Sequence, residues 1–565
     1  MGGDTMRILR RTLFSVGLGI LLWSMTTEIR GATYYVDFVD GNDQNGGTSV
    51  VAPWRHAPGD GHALAFAASA SLEPGDRVFF KGGVSYVGEV DLKWSGSRGR
   101  PITYDGNSEG KWGTGMAVMD CGDRYYHAFA APHLASYQDH IVIRNFDIKH
   151  LKNVSKAIQQ VNTVPGSLDG PPTTSTVTFH GDNGTYSYGG IFVYGTDWII
   201  SDCDMHESEQ WWCRDLATGN ASAEIPCLQA GINVLTGTNV LITNCAIWQI
   251  GRDCIREQGT NITIADCNFG GRSSVPVGDR GWFAVAVRPA GNLVNSSIIH
   301  CTIHDGWQLG GDDARQRCHA NDWIHLYGNN NQVLDKGDPN GILIDSCLMY
   351  NDHAFEYVNG TANIFIEEDV WNLTIRNCLI INPQHMGIWA ANGTVSNINV
   401  LNNTIVCYPP KMRGATFSID VGSPRAAVNL TNNLVVQLSP NSAAMPLVVL
   451  EATSGAVLSD YNLFFNPTSA SYGTVRYAGR DIGLLQWSAS TGNDQHSLSK
   501  DPHLVNLPPS GASASSGNYN LRATSPAVGA GKNLSSLFTM DGNGTLRSRN
   551  WDIGADEHRP ATLLP

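Results

Sequence analysis

An all-β chain wound as a parallel β-helix, a solenoid with a cap at each end, is the fold the sequence predicts. Three observations lead there. An aliphatic phrase ending in Asn or Cys recurs along the middle of the chain: IISDCDM, LITNCAI, ITIADCNF, SIIHCTI, ILIDSCLM, LTIRNCLI, INVLNNTI and VNLTNNLV. A second phrase, apolar-x-apolar beside a glycine, alternates with it and aligns on Ile191, Ile232, Ile255, Val285, Ile324, Ile364, Ile388, Phe417 and Leu447, at separations of 23 to 41 residues. Periods of this size mark solenoids. Turns of Gly, Asn, Asp and Ser between short strands indicate β-coils, not helical repeats. The 61 glycines in 565 residues also argue against a helical bundle, since glycine is a poor helix former.

Taken in chain order, residues 1–31 read as a secretion signal. Arg7, Arg10 and Arg11 precede an apolar stretch from Thr12 to Met25, 14 residues that are too short for a comfortable membrane span. Residues 32–130 form an N-terminal cap and entry coils. Residues 131–465 are the coils that carry the candidate site, and 466–565, richer in Pro, Ser and Gly, form a C-terminal cap. Caps are required because a solenoid's ends expose strand edges.

Twelve cysteines in an exported chain suggest disulfides. The repeat frame says otherwise for six of them. Cys203, Cys245, Cys267, Cys301, Cys347 and Cys378 occupy one column, continued by Asn403 and Asn433, and read as stacked core thiols. Cys213 and Cys227 lie in an inserted loop and are left open as a disulfide pair.

The opening runs TYYVDFVDGNDQNGGTS, PWRHA, LEPGDRVFFKGGVSYVGEV and GSRGRPITYDG, with the closing runs DPHLVN, YNLRATSPAVGAG and DIGADE, resemble the entry and closing segments of secreted right-handed parallel β-helix proteins of the pectate-lyase-like superfamily. The resemblance implies right-handed winding and a glycan partner. It leaves the reaction open, because that superfamily holds polysaccharide lyases, glycoside hydrolases, epimerases and non-enzymatic surface proteins.

Alternate strand residues point outward. With Ile191 and its equivalents inward, one outward column reads Phe192, Asn233, Arg256, Ala286, His325, Phe365, Trp389, Ser418, Val448. The next reads Tyr194, Leu235, Gln258, Arg288, Tyr327, Glu367, Ala391, Asp420, Leu450. Arg256, Arg288, His325, Tyr327 and Glu367 thus fall on four consecutive coils, within about 15 Å at strand spacing, and are the candidate catalytic residues. Trp307, Trp323, Trp389, Phe365, Asp313, His319 and Asp420 are the candidate substrate-binding residues, the aromatics as stacking faces for sugar rings. Asp322, which stands two before Ile324 as Asp253 stands before Ile255, reads as a turn cap.

Three functions fit these residues. A polysaccharide lyase acting by β-elimination on a uronic-acid glycan needs a cation for the carboxylate, a base and an acid. Arg256 and Arg288 supply the first, His325 and Tyr327 the others. Many β-helix lyases use a catalytic lysine and calcium. No lysine lies on these columns; Glu367, Asp352, Glu356 and Glu368 are oxygen donors that leave calcium open, and no metal ligand is assigned. A glycoside hydrolase needs two carboxylates, for which Glu367 and Asp420 share a column two coils apart. Asp312 and Asp313 resemble the aspartate pair of polygalacturonase-like hydrolases, but that family's GHG and RIK segments are absent. A non-catalytic glycan-binding surface protein would use the same aromatics. The net charge of −14 and pI near 5.6 argue against a nucleic-acid partner. An acidic polysaccharide would need arginine concentrated locally. After signal removal no membrane association is expected, and oligomeric state is not signalled.

Overall fold

The computed structural model describes residues 31–130, 137–151, 188–208, 229–250, 253–270, 283–287, 293–305, 322–328, 338–350, 362–381, 386–391, 394–408, 417–421, 427–438, 447–450, 457–467, 475–477, 479–508 and 516–559. Residues 1–30 of the expected signal segment, and Cys213 and Cys227, lie outside them. Among the described residues, no helix is long and apolar enough to cross a membrane.

The chain is a right-handed parallel β-helix. Each coil has three faces. The first face stacks Asp253–Glu257, Phe283–Val287, Ile324–Tyr327, Ala362–Glu367, Met386–Ala391 and Phe417–Val421. The second stacks Gly259–Ala265, Ser297–Ile299, Asn340–Asp345, Val370–Arg376, Val395–Leu401 and Val428–Thr431, and reaches back to Thr33–Val36. The third is a separate sheet of twelve strands from Ser85–Val87 to Leu463–Phe465. The first two faces form one sheet because Tyr188–Ser201 and Gln229–Thr243 run unbroken round the corner between them. That corner is tight. A Cβ on Gly259 (φ +147°) would lie 2.0 Å from the Gly237 carbonyl oxygen, so only glycine fits.

The corner between second and third faces is sharper. Asn145, Asp202, Asn244, Asp266, His300, Ser346, Asn377, Asn402, Asn432 and Tyr461 all turn there with positive φ. Short polar side chains that bond locally tolerate this conformation best, which is why Asn and Asp dominate. Immediately after six of them stands the column of buried thiols expected from the repeat: Cys203, Cys245, Cys267, Cys301, Cys347 and Cys378 are all free of disulfides. Their sulfurs face the carbonyls of the preceding coil, as Cys301 faces Ile264 O at 3.7 Å. The asparagines that follow make the same contact as full hydrogen bonds. Asn403 Nδ2 donates to Ile375 O (3.0 Å), Asn433 Nδ2 to Val400 O (2.7 Å) and Asn462 Nδ2 to Leu430 O (3.0 Å), while the Asn433 and Asn462 amide oxygens accept the main-chain N–H of Asn403 and Asn433.

Replacing Asn433 by alanine strands the Asn403 N–H and the Val400 carbonyl inside the core. The expected loss is about 2–6 kcal/mol, at about 1–3 kcal/mol per stranded group. Asn433→Cys, which copies the upstream coils, is expected to lose less than half of that. Equal urea midpoints for the two variants would refute the ladder as a stabilising device.

At the far end, Val475–Tyr477 doubles back antiparallel on Arg480–Ile482, and the helix Leu484–Thr491 buries Leu484 and Trp487 against the last coil. Trp487 Nε1 donates to Asp494 Oδ2 at 2.8 Å. The chain then returns along the solenoid. Leu504, Tyr519, Leu521, Ala527 and Ile553 pack on Ile381, Val406, Leu434, Val436 and Leu463 of the third face.

Candidate functional site

The first face builds the site. Register equates Ile191, Ile232, Ile255, Val285, Ile324, Ile364 and Ile388 as the spacing predicts, and their side chains fill the core. It then departs from the expectation: Ile388 pairs with Ile419, not Phe417, and Ile419 with Val448, not Leu447. The two-residue shift at Phe417 preserves strand alternation, so periodicity alone does not exclude it. At Leu447 both Leu447 and Val448 point inward, because the chain turns into the strand at that step. The second column changes too, since a bulge after Val193 pairs Tyr194 with Thr236 and leaves Leu235 over.

The corrected outward row reads Asn233, Arg256, Ala286, His325, Phe365, Trp389, Asp420. Tyr327 and Glu367 lie side by side in the next row. Asp420 therefore leaves Glu367's column. Two coils and two residues now separate them, about 12 Å between backbones.

His325 is the centre of the described cluster. Its Nε2 is 2.8 Å from Glu367 Oε2, in a hydrogen bond, and its Nδ1 is 3.7 Å from Asp322 Oδ2. Asp322 Oδ1 accepts the Ala362 N–H of the next coil at 2.9 Å, so it ties two coils together where the sequence suggested a cap for its own turn. The Tyr327 ring meets the imidazole edge-on at 5.7 Å. On the other side His325, Phe365 and Trp389 form a ring stack, with centroids 5.0 and 4.4 Å apart. Stacking follows directly from strand spacing, which puts identical positions on successive coils about 4.8 Å apart.

Arg256 stands two coils before His325, with Ala286 between them in register. It points outward but is only 4% exposed, and its Nη2 lies 2.5 Å from the buried Asp253 Oδ2. The two motifs Asp253-x-x-Arg256 and Asp322-x-x-His325 are one arrangement used twice: the aspartate enters the turn and the outward residue folds back beside it.

Trp323 is corrected. It has no exposure and belongs to the core, so it offers no stacking face for sugar. The step before each inward position, occupied by Cys254, Ala284, Trp323 and Leu447, also faces inward as the chain rounds the corner. Phe365 is outward but buried between its ring neighbours, and Trp389 keeps partial exposure. Arg288, Trp307, Asp312, Asp313, His319, Asp352 and Glu356 lie outside the described residues. Of the possible calcium donors only Glu367 and Glu368 are described, and no group of three metal-ligating side chains occurs among the described residues.

One buried acid escaped the sequence reading. Glu257 follows Arg256 and so points inward. It is 1% exposed, neither carboxyl oxygen has a hydrogen-bond partner among the described residues, and burial pushes its pKa up to about 8. The same alternation that turns Arg256 outward would have found it.

Fold and cluster together define the class: a right-handed parallel β-helix with a polar and aromatic patch on its first face. No protein-family model matches the chain, and no curated protein matches it. Among solved structures, XylC in complex with xylose is similar over 93% of this chain and 98% of its own, at 12% identity and a TM-score of 0.50. Pectate lyase Pel9A aligns over 94% of this chain and 97% of its own, at 14% identity and a TM-score of 0.45. The tailspike of bacteriophage HK620, solved with a pentasaccharide, covers 73% of this chain and 61% of its own, at 11% identity and a TM-score of 0.41. The XylC likeness establishes the shared fold.

Proposed function

We propose that this chain is a secreted polysaccharide lyase that cleaves a uronic-acid-containing glycan by β-elimination. The observation that carries the reading is the hydrogen-bonded His325–Glu367 pair with Tyr327 at its edge, on the outward face of a β-helix. In this reading His325 removes the C5 proton of the uronate and Glu367 steadies the imidazole. The freed electron pair forms the C4–C5 double bond as the C4–oxygen bond breaks, and Tyr327 protonates the departing oxygen. Arg256 lends positive charge from two coils away, but its tie to Asp253 leaves Arg288 as the better partner for the uronate carboxylate. Trp389 offers a stacking face beyond. The basic start and short apolar stretch of residues 1–31 support export.

The product of elimination is an unsaturated sugar absorbing near 235 nm, roughly where no saturated hydrolysis product does. Incubation with polygalacturonate, alginate and glucuronan is expected to raise that absorbance with at least one of them. New reducing ends without it would replace elimination by hydrolysis. Neither signal, with binding retained, would leave a glycan-binding protein.

A further inference from the structure

The row that holds Tyr327 and Glu367 continues away from them toward the N-terminal end. Val285 pairs with Ile324, Ile255 with Val285 and Gly237 with Gly259, so Gln258 and Thr236 stand two and three coils before Tyr327; Tyr194 pairs with Thr236. The Gln138 N–H donates to Tyr194 O at 3.0 Å, which brings Tyr137 onto the rung before. Tyr137 and Tyr194 are stacked, ring centroids 4.4 Å apart and 8° from parallel. Tyr137 is 56% exposed, and Thr236 and Gln258 between the pair and the cluster are partly exposed polar residues. A tyrosine that exposed gains little from packing, and its partner Tyr194 is the ring that rests on the core.

We infer that Tyr137 and Tyr194 form a distal subsite that stacks on a pyranose ring of the same polysaccharide chain bound at His325. Tyr194 and Tyr327 are four rungs apart, about 19 Å at strand spacing, and a polysaccharide advances by about one rung per sugar. The subsite therefore grips a unit about four sugars from the reacting one. Thr236 and Gln258 offer hydroxyl and amide partners on the way. The residues are neutral, so this end selects for chain length and ring faces, and charge selection stays with the cluster. The inference rests on the proposed glycan-cleaving reading for its ligand.

Binding is measured by calorimetry on the Glu367→Gln background, with dimers and hexamers prepared from polygalacturonate and from alginate. The hexamer is expected to bind more tightly than the dimer. Tyr137→Ala should weaken hexamer binding about tenfold, the upper end of one ring stack, and leave the dimer unchanged. Tyr137→Phe keeps the ring and should restore hexamer binding. Equal hexamer affinity with and without the Tyr137 ring, an equal loss for the dimer, or no binding of any fragment overturns the subsite. The assay is independent of turnover. Absent elimination leaves the subsite standing if the length dependence is seen, and a lost length dependence leaves elimination standing.

Discussion

Glu257→Gln is expected to stabilise the protein at neutral and alkaline pH and to leave it unchanged near pH 4.5. In the fold, burial holds the Glu257 carboxyl neutral until about pH 8, whereas the unfolded chain ionises it near its ordinary value of 4.5. Between these two values the unfolded state binds fewer protons than the native state, so stability falls as pH rises through that window and is level above it. At 1.36 kcal/mol per pH unit, the penalty is about 3 kcal/mol at pH 7 and about 5 kcal/mol above pH 8. Glutamine has the same shape and cannot ionise, so the variant escapes the penalty. Thermal midpoints of wild type and variant should coincide at pH 4.5 and diverge steadily to pH 8. Parallel curves, or a variant less stable throughout, would mean that Glu257 is ionised and satisfied in the native core. The penalty falls on the strand that also carries Arg256, so the position is one that sequence optimisation for packing alone would have filled with valine, as Val234 and Val193 fill the rungs before it.

The second large effect separates three residues that the sequence grouped together. Glu367→Gln and His325→Ala are expected to lose activity by about 10²–10⁴-fold, the usual contribution of a positioned proton-transfer group, with little change in unfolding midpoint. Both side chains retain exposure on the outward face, and the core beneath them is Ile324, Leu326, Ile364 and Ile366. Arg256→Ala behaves differently. It removes the ion-pair partner of Asp253, which has no exposure, and breaking a buried pair from one side costs about 3–5 kcal/mol. The alanine variant at 256 therefore loses activity through the fold. Replacing both Asp253 and Arg256, by alanine and methionine, should recover stability without recovering a fully active site. Unfolding midpoints and turnover measured on the same samples distinguish the cases. A fully active His325→Ala would remove the proton-transfer assignment, and a stable Arg256→Ala would remove the ion-pair argument.

Most of the fold was legible because a solenoid repeats its local rules. Inward aliphatic positions, positive-φ Asn and Asp at one corner and the Cys and Asn column behind it recur every coil, so each instance corrects the others. The site was legible only where alternation alone decides orientation, as at His325, Tyr327 and Glu367. It failed at Trp323, because alternation stops where the chain turns into the strand. It failed again at Asp420, because a two-residue slip keeps every side chain on its face and changes only its neighbours. Asp253 and Asp322 were visible as a repeated turn residue, yet their contact with Arg256 and His325 needs the outward side chain to fold back across the corner. Tyr137 gave no signal at all, since it lies outside the repeated phrases and acquires meaning only from the Tyr194 ring stacked on it.

By itself, then, the sequence determined the coil repeat, the core column and the face on which the polar cluster stands, since these depend on periodicity and on residue-specific backbone preference. Tertiary structure alone decided which residues on that face meet. The aligned inward neighbours of this face are 23 to 41 residues apart in the chain, and their pairing is set by register. Local sequence does not encode that information, and strand hydrogen bonding between coils supplies it.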